Sequence, residues 1–331
     1  MSKIIKMKAA IWTKYGSPEV LKVQDIDTPI PKEDEILIKI MATSVFAGDC
    51  EMRRFDVATW VWLPLRLYIG IFKPRIKILG QECSGVIISK GKEVNEFNIG
   101  DEVIAMAGMS FGTYAEYKTL SHKKVICLKP PNISFEKATT IPTGGINALH
   151  FIKVAKIKKG ERLLLNGAGG SIGTFALQLA KIDGAHVTCV DSADKLEMLS
   201  NLGADQVIDY IVNDFTLSDE KYDIIIDIVG KSSFSRSVKS LNSSGRYILG
   251  NPSFSGMIRA IWTSKFTNKS VIPALAGESK KDLEYLVSLV QSNKLKIVID
   301  KIYSLEDIAQ AHEYVEKGLK KGHLVIKMPH L

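Results

Sequence analysis

Cysteine is scarce in this sequence and scattered. The four, Cys50, Cys83, Cys127 and Cys189, never fall in C-x-x-C spacing, so neither a structural zinc nor a redox dithiol is indicated. They read as small core residues of a reducing compartment. Long apolar runs are lacking as well. The longest, Trp60–Phe72, is interrupted by Pro64 and Arg66 and falls well short of the roughly 20 residues that span a bilayer. The opening MSKIIKMKAA has no long apolar core or cleavage site of a signal peptide, and the cytoplasm is the expected location. The six histidines stand in no His-x-Glu or H-E-x-x-H context, and no nucleophile elbow occurs. No base, nucleophile or metal ligand is therefore assigned, and the catalytic side chain stays unknown.

What is present is ordinary for a globular chain. Hydrophobic residues make up 46% and charged residues 24% of the 331, which excludes disorder and low complexity. At roughly 100–200 residues per domain, two domains are expected. The net charge of +8 is spread along the chain, with short clusters at Lys156-Ile157-Lys158-Lys159 and Lys320-Lys321. A solvated basic surface is the first reading; an anionic cofactor, a membrane face and nucleic acid are the alternatives.

Two textures follow one another. Up to about residue 127, short β-type runs such as Lys8–Trp12, Ile36–Ile40, Gly85–Ile88 and Glu102–Ala105 alternate with glycine turns, the pattern of a barrel-like all-β domain. After Pro130-Pro131 strand and helix alternate. Strands are expected at Leu163–Asn166, His186–Val190, Val207–Tyr210, Asp223–Val229 and Arg246–Leu249, with helices at Gly173–Ile182 and Ala193–Leu202. Such βαβ repetition with apolar strands predicts a parallel sheet covered on both faces. Amphipathic helices at Ser279–Ser292 and Ser304–Glu316 and a strand at Gly322–Ile326 complete the chain.

The strand Leu163–Asn166 runs into Gly167-Ala168-Gly169-Gly170-Ser171-Ile172-Gly173 and then into a helix. The spacing is G-x-x-G-x-x-G with an added glycine rather than the literal G-x-G-x-x-G. Between a strand and a helix, it still reads as a pyrophosphate cradle: backbone comes close to the anion at a helix N-terminus. The next strand ends on Asp191. There a carboxylate suits free ribose hydroxyls and repels a 2′-phosphate, whereas Ser192, Lys195 and Tyr210 are able to hold one. Asp191 as an N-cap of the following helix is the other reading.

Further motifs join these: Gly80-Gln81-Glu82-Cys83-Ser84-Gly85-Val86, Gly100-Asp101-Glu102-Val103 and Gly112-Thr113-Tyr114-Ala115-Glu116-Tyr117. Leu202-Gly203-Ala204-Asp205, Asp227-Ile228-Val229-Gly230 and the stretch from Ala311-His312 to Gly322–Ile326 complete the set. On these residues the chain resembles the medium-chain dehydrogenase/reductase superfamily, in its zinc-independent quinone oxidoreductase (zeta-crystallin-like) branch, along essentially its whole length. The resemblance implies an α/β fold, a Rossmann doubly wound parallel sheet over 128–273 plus a GroES-like β-barrel domain over 1–127 and 274–331. It implies a cofactor cleft between domains, a homodimer or homotetramer, and Val229, Gly230 and Gly250 as further cofactor contacts.

Zinc alcohol dehydrogenases of the superfamily hold their metal with Cys, His and Cys, and the matching positions here are Phe46, Gln81 and Thr143. Phenylalanine offers no donor, and amide or hydroxyl groups bind zinc poorly. The four-cysteine structural lobe is absent, and Gly48 stands where the proton relay would begin. Phe46 also replaces the branch's usual asparagine near the substrate. Phe46, Asp49, Tyr68 and Asn147 are the tentative substrate set, with Asp49 read chiefly as structural and Tyr114 and Tyr117 as packing. The insert Trp60–Phe72 is core, a hydrophobic lid, or a surface resting on lipid.

The expected activity is zinc-independent hydride transfer from NADPH or NADH, with the preference open, to a small apolar, electron-poor quinone or enone. A non-enzymatic, crystallin-like or RNA-associated cofactor binder is the rival. Its nearest nucleic-acid stripe, Arg259–Phe266, reads more simply as a solvated amphipathic helix, and nucleic acid is not an expected partner. Peripheral membrane contact stays open as a disfavoured alternative.

Overall fold

The computed structural model describes residues 6–329; residues 1–5, the start of the segment read above for a signal peptide, and 330–331 lie outside the described residues. The strands, in chain order, are β1 (Lys6–Trp12), β2 (Leu21–Asp27), β3 (Glu35–Val45), β4 (Glu82–Lys90), β5 (Glu102–Met106), β6 (Tyr117–Ser121) and β7 (Val125–Leu128). There follow β8 (Arg162–Asn166), β9 (His186–Asp191), β10 (Gln206–Asp209), β11 (Tyr222–Asp227), β12 (Leu241–Leu249) and β13 (Ser270–Pro273), and finally β14 (Ile299–Ser304) and β15 (His323–Lys327).

Two compact units result. The first comprises, among the described residues, 6–57, Val61–Thr143 and 278–329. Its main sheet runs β14-β15-β3-β4-β5-β7, with β6 also on β3, and β1 and β2 pair separately. The long strand β3 serves two neighbours on one edge: Glu35–Lys39 pair β6 and Ala42–Val45 pair β15. Ile36, Ile38 and Ile40 alternate inward from it into the core that also holds Trp12, Ile87, Val103 and Phe111, as period-two patterning requires. Cys50 and Cys83 belong to this core, and Cys127 and Cys189 are likewise buried and free.

The second unit comprises 58–60 and Gly144–Gly277. Its six strands run β10-β9-β8-β11-β12-β13, all parallel. The order reverses direction between β8 and β11, the switch point at which ligands of doubly wound sheets bind. The α/β class, with a Rossmann sheet and a separate barrel-like unit, is the one expected.

Three local readings differ. Residues 128–143, read with the nucleotide domain, group by their contacts with the barrel unit. Lys129 is tied there to Glu102 by an ion pair of 2.8 Å, and Ser84 donates to the carbonyl of Phe135 at 2.7 Å. Ser304 ends strand β14, and the last helix is Ile308–Glu316. The insert, whose reading as core needed buried side chains, forms the helix Thr59–Ile69 in which only Ile69 is buried.

Candidate functional site

Strand β8 is buried along Leu163, Leu164 and Leu165 and delivers the chain to the glycine turn, after which the helix Ser171–Ile182 begins. Two glycines there are required by the protein's own packing. Gly167 has φ +85°, and a Cβ on it would strike the Val229 side chain; one on Gly173 would strike the Ala168 carbonyl. Gly170 is different: a Cβ there meets nothing within 4 Å. The backbone at this N-cap thus stands open in front of a helix whose first N–H groups have no intrahelical acceptor. This is a cradle that fits a pyrophosphate.

Asp191 closes the turn from the side. Its Oδ2 accepts from Gly169 N–H at 2.7 Å and its Oδ1 from Ser192 N–H at 2.9 Å, and Lys195 Nζ lies 3.0 Å away. Only 7% of Asp191 and 8% of Lys195 are exposed, so acid and cation are largely spent on each other and on the loop. Ser192, not Asp191, occupies the N-cap position of the helix Ala193–Asn201. Ser192 Oγ donates to Asp194 at 2.6 Å, and Tyr210 donates its N–H to the Asp191 carbonyl at 3.2 Å while its ring is exposed. Asp191, Ser192, Lys195 and Tyr210 therefore do come together, at the carboxyl ends of β9 and β10.

Across the switch point lies a strut that sequence reasoning missed. Asp227, fully buried at the end of β11, accepts from Asn166 Nδ2 at 2.9 Å, Gly230 N–H at 2.8 Å and Tyr247 OH at 3.0 Å, and from Ser232 Oγ. Gly250 N–H donates to the Asp227 carbonyl at 2.9 Å. Asp227 thus holds Gly230 through its carboxylate and Gly250 through its carbonyl. A hollow of about 320 Å³ opens here, lined among others by Gly230, Ser232, Asn251 and Arg259. The signal was available: an acid closing an apolar strand, as at Asp191.

In the barrel unit, Phe46 precedes the helix Ala47–Arg54 and receives the side chain of Asp49, which accepts from Phe46 N–H at 3.3 Å. Asp49 also accepts from Tyr114 OH at 2.9 Å and Gln81 Nε2 at 3.4 Å, and it is fully buried. Burial pushes its pKa up to about 7 against the pull of Tyr114 and the Phe46 backbone, and drives the Tyr114 phenol well above its ordinary range. Glu82, also buried and raised by desolvation, accepts from Ser44 Oγ and from Thr143 N–H at 2.6 Å. A Cβ on Gly48 would lie 2.9 Å from the Phe46 ring, so that ring covers the place where a relay hydroxyl would stand.

Phe46, Gln81 and Thr143 do not fit a zinc ion, since they offer no thiolate, imidazole or carboxylate. Among the described residues no group of three His, Cys, Asp or Glu side chains is placed to hold a metal. Of the tentative substrate set, Asp49 is buried, Tyr68 is exposed and donates to the Met109 carbonyl at 3.3 Å, and Asn147 is half-buried in the helix Ile141–Ala155.

Residues 32–131 match the family model of the alcohol dehydrogenase GroES-like domain, and residues 202–326 that of the zinc-binding dehydrogenases. The chain is similar to a 2-methylene-furan-3-one reductase of Solanum lycopersicum, with 31% identity over 97% of this chain and 79% of that one. It is similar to a chloroplastic quinone-oxidoreductase homolog of Spinacia oleracea, with 28% identity over 97% and 98%. Among solved structures, the quinone oxidoreductase from Coxiella burnetii superposes with a TM-score of 0.86 at 32% identity, covering 98% of this chain and all of the other.

Proposed function

As this chain belongs to the medium-chain dehydrogenase/reductase superfamily, in its quinone- and enone-oxidoreductase branch, we propose that it reduces an apolar quinone or enone at the expense of NADPH or NADH, without zinc. The observation that carries the reading is the switch-point junction, where the open backbone at Gly170 stands between the Asp191–Gly169 tether and the Asp227–Asn166 strut. Gly167–Gly173 would hold the pyrophosphate, Asp191, Ser192, Lys195 and Tyr210 the adenosine end, and Val229, Gly230 and Gly250 the remainder. The bound cofactor supplies the hydride. The protein supplies orientation.

The Phe46, Gln81 and Thr143 set supports zinc-independence. Without a Lewis acid or relay, an alkoxide-like state finds no stabilisation, whereas an electron-poor acceptor needs none. Asp191 and Lys195 are paired with each other at 3.0 Å, which commits neither outright to free ribose hydroxyls or to a 2′-phosphate and favours the use of both cofactors. The free, buried cysteines suit a reducing compartment such as the cytoplasm. A homodimer is supported by β13 at the sheet edge and by exposed Ile258, Ile261 and Trp262 on the preceding helix, a surface a second copy would close.

The test is an acceptor panel run with both reduced cofactors. Turnover of 1,4-naphthoquinone or a 2-alkenal is the expected result. Robust ethanol oxidation with no quinone or enone turnover would overturn the assignment.

A further inference from the structure

The helix Thr59–Ile69 is apolar nearly all round, and one of its apolar faces is turned away from the core. Trp60, Leu63, Pro64, Leu67 and Tyr68 recur at i, i+3, i+4, i+7 and i+8, which is one helical face, and all five are exposed. Leu63 is 59% and Leu67 54% accessible, and Phe72, just beyond the helix, is 93% accessible. The underside is fixed. Arg66 lies over the rings of Tyr15 at 4.0 Å, Phe55 at 4.3 Å and Trp62 at 5.5 Å. The stripe therefore faces outward by construction.

Along the helix and the segment that follows it to Lys77 the charges have one sign. Between Asp56 and Glu82 the sequence contains Arg66, Lys73, Arg75 and Lys77 and no acid, and the last three are exposed. An apolar stripe ending in uncompensated cations complements anionic headgroups above an acyl layer. Trp60 and Tyr68 are the side chains favoured at that depth. The helix has 11 residues, about 17 Å at 1.5 Å per residue, so it does not cross. Pro64 has no N–H for the Trp60 carbonyl, a defect that wet headgroups satisfy and hydrocarbon does not.

We propose that Thr59–Ile69, with the segment through Lys77, is a peripheral docking surface that lies flat in the headgroup layer of an anionic bilayer. The inference stands apart from the reaction assigned above.

The full chain is spun with vesicles of phosphatidylcholine alone and of phosphatidylcholine mixed with phosphatidylglycerol, at low and high salt. Binding is expected to the mixed vesicles and to weaken with salt. The pair Leu63→Ser, Leu67→Ser should lose about tenfold or more of that affinity. Lys73→Gln with Lys77→Gln should lose about fivefold per charge and most of the preference for phosphatidylglycerol. Both variants should keep the unfolding midpoint and the reduction of a water-soluble quinone. No vesicle binding, or binding untouched by the leucine pair, overturns the proposal. So does a leucine pair that changes the oligomeric state in light scattering, which would assign the stripe to a second copy.

Discussion

The main-chain N–H of Gly169 donates to the carboxylate of Asp191 at 2.7 Å, joining the turn after β8 to the end of β9. Asp191 thus fixes the loop, and in the proposed cofactor pose it would also present charge to the ribose. Asp191→Ser is expected to raise the NADPH over NADH preference about tenfold, worth ~1.4 kcal/mol. It should also lower stability by about 1–3 kcal/mol, because a buried N–H loses its partner. Cofactor titration and thermal unfolding measure the two separately. An unchanged cofactor ratio with a lowered midpoint would leave Asp191 the tether alone.

Two glycines of the same loop should part company. Gly173→Ala drives a methyl into the Ala168 carbonyl, and a loss of about 1–3 kcal/mol is expected. Gly170→Ala meets no protein atom, so stability should fall by no more than about 1 kcal/mol, the cost of alanine at an N-cap, while affinity for either dinucleotide falls. Equal dinucleotide affinity in Gly170→Ala and the parent protein would mean that the pyrophosphate does not approach there.

Asp49 predicts a pH dependence of stability. Its folded pKa of about 7 lies above the ordinary carboxylate value, because burial disfavours the charge. The folded state then holds a proton that the unfolded state releases. The contribution is fully present below about pH 4 and is lost as pH rises to about 7. Asp49→Asn should flatten that segment of the stability profile in denaturant titrations. A profile that is parallel in both proteins would show the carboxyl to be ionised throughout.

Metal content offers an independent check. Purified protein should carry no stoichiometric zinc, and chelators should leave quinone or enone turnover intact. About one tightly held zinc per chain would contradict the donor chemistry of Phe46, Gln81 and Thr143.

Much of the fold was legible because the apolar strands Leu163–Leu165 and Ile224–Ile226 repeat at βαβ spacing, and because glycines mark the turn at 167–173. Ile299–Ser304 was not, since its side chains are half-buried or exposed and its polar tail resembles a helix start. Trp60–Phe72 misled in the opposite sense. Apolar residues surround that helix, so sequence periodicity cannot say which side is covered; the Arg66 stack decides it. At the site, glycine spacing located the loop, whereas Asn166 and Tyr247, two of the partners of Asp227, lie too far from it in sequence for any local pattern to join them.

The stack of Arg66 on Tyr15, Phe55 and Trp62 also bears on how the docking surface would work. Many interfacial helices are coil in water and must order as they land, which subtracts from their affinity. Here the guanidinium and its three rings have already set the helix, so adsorption would be a rigid-body event. Far-ultraviolet circular dichroism should not change when vesicles are added. Arrival would depend on long-range attraction, with no slow ordering step after contact, and a rise in ionic strength would release the protein as readily as it had arrived.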